Sequence, residues 1–251
     1  MRIQYCSDLH LEFEENSRFL LNHPIEVCGD ILILAGDIVP LLDRYLNSRF
    51  FDFISDNYKQ VFWVPGNHEF YYRNITDFDS SFNYKVRDNI SILNNFDLEF
   101  NGVRFVFSTL WSRISEKNEK YIEQNVADFE YITSNDKLFR VSDFNNLHDV
   151  SLEFIKKSMY NESKKLVIVT HHLPSFSCNR PSHNNSAINE AFCVDLTDNI
   201  KTGNARFWIY GHSHCNQKPL YIGKTILLTN QLGYLQMNER IGFKRNAYFS
   251  I

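Results

Sequence analysis

The chain has 251 residues, 43% of them hydrophobic and 22% charged, with a net charge of −4. Wholesale disorder is excluded by that composition, and no apolar run approaches the roughly 20 residues that span a bilayer as a helix. The acidic balance also excludes a basic nucleic-acid coat. Five scattered cysteines with no CxxC pair point to reduced thiols and away from a disulfide framework. The N-terminal MRIQYCSDLH carries no basic-then-apolar leader, so the expected location is the cytoplasm. Without a repeat, low-complexity tract or linker, the chain reads as one domain over residues 1–251.

In chain order, Arg2 to Cys6 is expected as a strand, as are the continuous apolar runs Ile31 to Ala35 and Val61 to Val64. Leu41 to Tyr58 between them reads as one helix, which gives parallel βαβ units. After an Asn101-Gly102 turn, Val103 to Phe107 is a further strand. Ile122, Val126 and Phe129 follow helical spacing, as do Leu147, Val150 and Phe154 behind a Ser142 cap. Leu166 to Val169 and Phe207 to Tyr210 return to buried-strand character. Leu220 to Ile222 and Thr225 to Leu228 flank a Gly223-Lys224 hairpin turn.

Polar residues recur where these strands end. The first runs into Ser7-Asp8-Leu9-His10, the second into Gly36-Asp37, and the third into Pro65-Gly66-Asn67-His68-Glu69. The later two run into His171-His172 and Gly211-His212-Ser213-His214. Ligands of α/β sheets bind outside the carboxyl ends of strands. Three of only nine glycines stand just before such a residue, where a tight turn must leave the sheet. Any one of these short motifs is weak; five in order at strand ends are not. Carboxylate, amide and imidazole donors without thiolate suit Mn, Fe, Zn, Co or Ni. The donors are too many for one ion, and a shared carboxylate can bridge two cations that clamp a phosphoryl group and activate water.

On these motifs the sequence resembles the calcineurin-like metallophosphoesterase superfamily, whose pattern is D-x-H, G-D, G-N-H-[DE], H and G-H-x-H. The resemblance implies a four-layer α/β/β/α sandwich of two mixed sheets, an α/β fold. It implies one divalent cation on Asp8, His10, Asp37 and His214. A second would lie on Asp37, Asn67, His171 and His212, with His68 beside the phosphate as general acid. His171 is taken as ligand over His172 because it aligns with the family's position. The implied activity is hydrolysis of a small-molecule phosphomonoester or phosphodiester by in-line attack of a metal-bridging hydroxide, with Asp37, Asn67 and His68 as catalytic residues.

Departures narrow the branch. Gly36-Asp37-Ile38-Val39-Pro40-Leu41 lacks the arginine motif of the protein Ser/Thr phosphatases, and Pro40 stands where purple acid phosphatases place a ligand tyrosine. The segments Thr109-Leu110-Trp111, Ala191-Phe192 with Asp195-Leu196, and Asn230 with Gly233-Tyr234 are similar to a branch of small bacterial members. For the substrate, His172, Arg180 and His183 are candidates, the last two in the Ser175 to Ser186 loop. Glu69 is expected to support its turn without ligating, and Tyr71 and Tyr72 to pack in the core or at the rim. Two other functions remain open from sequence: a nuclease, for which the acidic chain has little room, and a non-catalytic scaffold, against which the filled ligand positions argue.

Overall fold

The computed structural model describes residues 1–160, 165–180, 183 and 186–251. In chain order the strands and helices are β1 (Arg2–Cys6), α1 (Glu14–Asn22), β2 (Ile31–Ala35), α2 (Asp43–Leu46), α3 (Arg49–Asn57), β3 (Gln60–Val64), β4 (Phe82–Arg87), β5 (Ile90–Asn94), β6 (Phe96–Phe100) and β7 (Val103–Ser108). They continue with α4 (Glu119–Asn125), α5 (Asp128–Tyr131), β8 (Thr133–Ser134), β9 (Lys137–Leu138), α6 (Val141–Met159), β10 (Leu166–Thr170), α7 (Thr197–Thr202), β11 (Ala205–Ile209), β12 (Leu220–Ile222), β13 (Thr225–Leu228) and β14 (Tyr248–Ser250).

Two six-stranded mixed sheets form, ordered β14-β1-β2-β3-β5-β4 and β12-β13-β11-β10-β7-β6. Each has four parallel strands in its middle and one antiparallel strand at either edge. The parallel strands are covered on both faces, and their side chains divide by alternation. Ile3, Ile31, Ile33, Phe62, Val64, Phe105, Phe107, Val167, Val169 and Ile209 fill the space between the sheets. Leu32, Leu34, Val61 and Trp63 face the opposite way, onto α3 through Phe51 and Ile54. Leu166, Ile168 and Trp208 face away from the other sheet, onto α6 and α7 through Ile155, Met159 and Ile200. Helix, sheet, sheet, helix is the four-layer order expected from the resemblance.

Two helices differ from their expected form, and each difference has a local cause. The single helix over 41–58 is broken, because Leu41 N–H bonds the Glu69 carbonyl and Ser48 is extended before α3 restarts. The expected helical run through Ile122, Val126 and Phe129 is likewise split into α4 and α5 by an extended Val126. Helix α6 begins one residue before Ser142, which is not its cap. Arg140 takes that place, its N–H bonded to Asp143 Oδ2 at 3.0 Å. The buried face of α6 is Val141, Phe144, His148, Ser151 and Ile155 rather than the stripe through Leu147 and Val150, and Val150 is 42% exposed. His148 can be buried there because its Nδ1 meets the Trp111 carbonyl at 2.6 Å.

The sheets meet beyond their carboxyl ends, where Ser7 and Gln231 form a parallel bridge. Asn230 donates to the Tyr5 and Lys244 carbonyls, and Leu232 and Gly233 donate to the carbonyls of Ser7 and Asp8. This zipper fixes β1 against β13 directly below the polar residues. The inter-sheet core carries much of the stability: Phe105→Ala is expected to lower the unfolding free energy by about 3–5 kcal/mol, read as a lower denaturant midpoint at unchanged slope.

Candidate metal centre

Five strand ends converge on one point. Asp8 and His10 follow β1, Asp37 follows β2, Asn67 and His68 follow β3, His171 follows β10, and His212 and His214 follow β11. Asp8, His10, Asp37, His171 and His212 are all buried. Five residues there adopt left-handed backbone: Asp8 (φ 54°), His10 (46°), Asp37 (56°), His212 (73°) and His214 (47°). Such conformations cost roughly 1–3 kcal/mol each for non-glycine residues and persist where the surroundings enforce them. Gly66 answers a different demand. A Cβ there would lie 2.2 Å from Asp37 Oδ1 and 2.7 Å from His171 Nε2. At Gly36, φ is 88° and a Cβ would meet the His171 ring.

Two donor sets share Asp37. One is Asp8, His10, Asp37 and His214; the other is Asp37, His171 and His212. His10 Nε2 and His214 Nε2 lie 2.9 Å apart, His171 Nε2 and His212 Nδ1 3.0 Å apart, and Asn67 Oδ1 is 3.2 Å from His171 Nε2. Asp37 Oδ2 stands 3.7 Å from His10 Nε2 and 3.3 Å from His171 Nε2. Asp8 Oδ1 is 3.4 Å from His214 Nε2 and accepts the His212 N–H at 2.9 Å, while Asp8 Oδ2 is buried with no partner.

The outer nitrogens of three of these imidazoles are tied down, whereas His212 Nε2 is buried without a partner among the described residues. His10 Nδ1 faces Glu12 at 3.2 Å, His214 Nδ1 faces Glu239 at 2.6 Å, and His171 Nδ1 faces the Ala35 carbonyl at 2.9 Å. Each contact places a proton on Nδ1 and turns Nε2 inward, where it can carry a proton or give its lone pair to a cation, the arrangement that orients metal-binding histidines. Inward lone pairs 2.9–3.0 Å apart, an orphaned carboxylate oxygen and the absence of thiolate fit divalent cations with nitrogen and oxygen ligation.

The electrostatics point the same way. Burial disfavours charge on His171, yet Asp37 pushes its pKa up to about 9; burial is likewise outweighed at His214, where Asp8 and Glu239 raise it to about 10. Burial opposes the charge of Asp37, but His171 and His68 hold its carboxyl well below the usual range. Burial is also outweighed at Glu12, which hydrogen bonds from His10 and His68 hold at about 2. The field favours positive charge between the two carboxylates.

His68 is not in either donor set. Its backbone N–H donates to Asp37 Oδ1, Nδ1 faces Glu12 at 3.0 Å, Nε2 faces the Tyr234 hydroxyl at 3.2 Å, and its ring stacks on Tyr71 at 4.1 Å. Glu69 is fully buried and accepts N–H groups from Asp37, Ile38, Gly66 and the Trp63 indole, binding two strand-end loops together. Burial and nearby Asp37 push its carboxyl up to about 7.

The residues expected at the substrate are placed differently from one another. His172 has no exposed surface; it packs against His212 at 4.2 Å, and burial, then His171, lowers its pKa to about 3. Arg180 donates to the His214 carbonyl at 2.9 Å. His183 lines a cleft of about 430 Å³ that opens above the donor sets. Pro181, Ser182, Asn184 and Asn185, part of the expected substrate loop, lie outside the described residues. Tyr71 is buried against His68, and Tyr72 is exposed.

Four participants were given no role in the site by sequence reasoning, although Tyr234 lies in the Asn230 to Tyr234 segment noted there. Glu12 stands two residues beyond His10, and its position beside the D-x-H motif was a usable signal. Asp128 accepts from Asn67 Nδ2 at 2.7 Å and from the Tyr71 hydroxyl at 2.9 Å, which turns Asn67 Oδ1 toward the donors. Tyr234 and Glu239 follow the sheet zipper. No spacing rule marked Asp128 or Glu239.

A model of the calcineurin-like phosphoesterase family matches residues 1–216. An uncharacterized protein, L509, of Acanthamoeba polyphaga mimivirus is 38% identical over 277 residues, covering all of this chain and 97% of that one. Phosphopantetheinyl hydrolase from Mycobacterium tuberculosis has a similar fold, with a TM-score of 0.70 at 17% identity over 98% of this chain and 95% of that one.

The Glu69 clamp makes a stability prediction. Glu69→Gln turns an amide NH₂ toward two N–H donors and is expected to cost about 2–3 kcal/mol, measured by denaturant unfolding.

Proposed function

From the premise that the chain belongs to the calcineurin-like phosphoesterase family, we propose that it hydrolyses a small-molecule phosphoester with two divalent cations held at the strand ends. The observation that carries this reading is the pair of donor sets sharing Asp37 at the floor of the cleft. Asp8, His10, Asp37 and His214 would hold one cation, and Asp37, Asn67, His171 and His212 the other. Mn, Fe, Zn, Co and Ni all suit this donor chemistry. Bound there, two cations would supply Lewis acidity toward the phosphoryl oxygens and acidify water.

The protein's own groups do the rest. Asp37 would serve both cations. The hydrogen bond from Asn67 Nδ2 to Asp128 fixes the amide so that Oδ1 faces inward. Glu12 keeps a proton on His68 Nδ1 and sets its ring, so Nε2 lies toward Tyr234 at the cleft wall. From Nε2 a proton can pass to the departing oxygen, a role worth roughly 10²–10⁴-fold in rate. Free thiols support a reducing, cytoplasmic setting, and no helix among the described residues is long and apolar enough to cross a membrane.

The deciding experiment is elemental analysis of the purified protein, with turnover of p-nitrophenyl phosphate and its bis-ester in added Mn. Cation retention with hydrolysis is expected, and the ratio of the two rates separates phosphatase from phosphodiesterase. A cation-loaded protein inert on a broad panel would favour a scaffold; salt-sensitive cleavage of oligonucleotides would favour a nuclease. Two variants test the roles. His68→Ala is expected to retain both cations and lose roughly 10²–10⁴-fold in kcat, whereas Asp37→Ala is expected to lose paired occupancy. Loss of cations in the first, or full activity in the second, overturns the assignment.

A further inference from the structure

The floor of the cleft carries the donor sets, but its walls have a different chemistry. Opposite His68 and His214 they are made by the amide residues Asn125, Asn179 and Asn189 and the apolar Val126, Ile188 and Phe192. These come from the break between α4 and α5 and from the turn over Ala187–Ala191, two segments packed on one another. No lysine or arginine lines the cleft among the described residues, whereas the carboxylates Asp128 and Glu239 do. The four positions of the 179–186 loop outside the described residues are a proline, a serine and two asparagines, none of them cationic. Arg180, the nearest cation in sequence, turns Nη2 to the His214 carbonyl and acts electrostatically on Glu239.

That lining discriminates by charge. A second phosphate, or the backbone of a nucleic acid, would stand beside Asp128 and Glu239 with His183 but, among the described residues, no lysine or arginine to meet it, and phosphate-rich ligands are held by such fixed cations. Asn125 Nδ2 is bonded to the Tyr121 carbonyl and Asn179 Nδ2 to Asn189 Oδ1, so an uncharged organic group meets a polar but internally bonded amide surface and an apolar face, a lining of the kind small-molecule pockets have. Resting on the phosphoesterase reading, we infer that the substrate carries a single phosphoryl group on an uncharged organic moiety that combines amide or hydroxyl groups with an apolar surface. The α4–α5 break and the Ala187–Ala191 turn select it.

The test compares phenyl phosphates of matched shape in the Mn-loaded protein: 4-carbamoylphenyl phosphate, which is neutral at its far end, and 4-carboxyphenyl phosphate, which is anionic there. The carboxylate is expected to have kcat/KM lower by roughly tenfold or more, since like charges oppose one another across a binding surface. Asn125→Lys, at the exposed edge of the cleft, is expected to shrink that ratio by supplying the missing cation. Equal or better turnover of the carboxylate, or a ratio unmoved by the lysine, overturns the inference while leaving the phosphoesterase reading standing. Failure to hydrolyse either compound or p-nitrophenyl phosphate overturns the phosphoesterase reading, and this inference with it.

Discussion

Two carboxylates, Asp8 and Asp37, are buried at the strand ends with 0% and 2% of their surface exposed and, among the described residues, no lysine or arginine paired to them. An unpaired buried charge costs several kcal/mol, so this pair dictates what surrounds it. Backbone N–H groups of His212 and His68 donate to them, and four imidazoles crowd their open sides. Imidazoles are the right counterpart because each can carry a proton or give its lone pair to a cation. The outer contacts to Glu12, Glu239 and Ala35 commit the inner nitrogens to facing one another, an arrangement that positive charge between them relieves.

That constraint reaches into the backbone. Bringing seven polar side chains from five strands to one point needs abrupt turns, and the left-handed residues supply them. The glycines serve the same end by omission: Gly36 and Gly66 leave room where His171 and the Asp37 carboxylate pass. Glu69 then locks the turns, its two oxygens gathering N–H groups that the left-handed bends leave without strand partners. A strained site can persist because the inter-sheet core and the zipper through Asn230 hold the strand ends where they are.

Legibility in the sequence followed burial. The parallel strands β2, β3, β7, β10, β11 and β13 are covered on both faces and announce themselves as largely apolar runs, while β1 was read from its partial alternation. The edge strands β4, β6 and β14 show one face to solvent, and their mixed patterns pass for loop. β5 is buried throughout yet was also missed, its Ser91 and Asn94 interrupting the run. The donors were readable because ligation demands particular residue types at strand ends that the apolar runs already mark. Helices were read less well: Ser48 is extended as the N-cap of α3 and the β-branched Val126 is extended after α4, local preferences that the longer apolar spacing hid.

The break at Val126 shows why the organic half of the cleft was the least legible part. Had α4 and α5 been one helix, Asp128 would lie one turn along a continuous cylinder. With Val126 extended, the chain swings so that Asp128 drops against Asn67 and Tyr71. Asn125 and Val126 are left at the mouth of the cleft. One irregular residue thus orients the amide at the floor and shapes the wall above it. The donor sets depend on the rigid ends of parallel strands and tolerate little change. The wall depends on a helix break and a short turn, which can be altered without disturbing the sheets. The donor sets and the cleft wall therefore sit on separate structural elements, and only the former write themselves into short, ordered motifs.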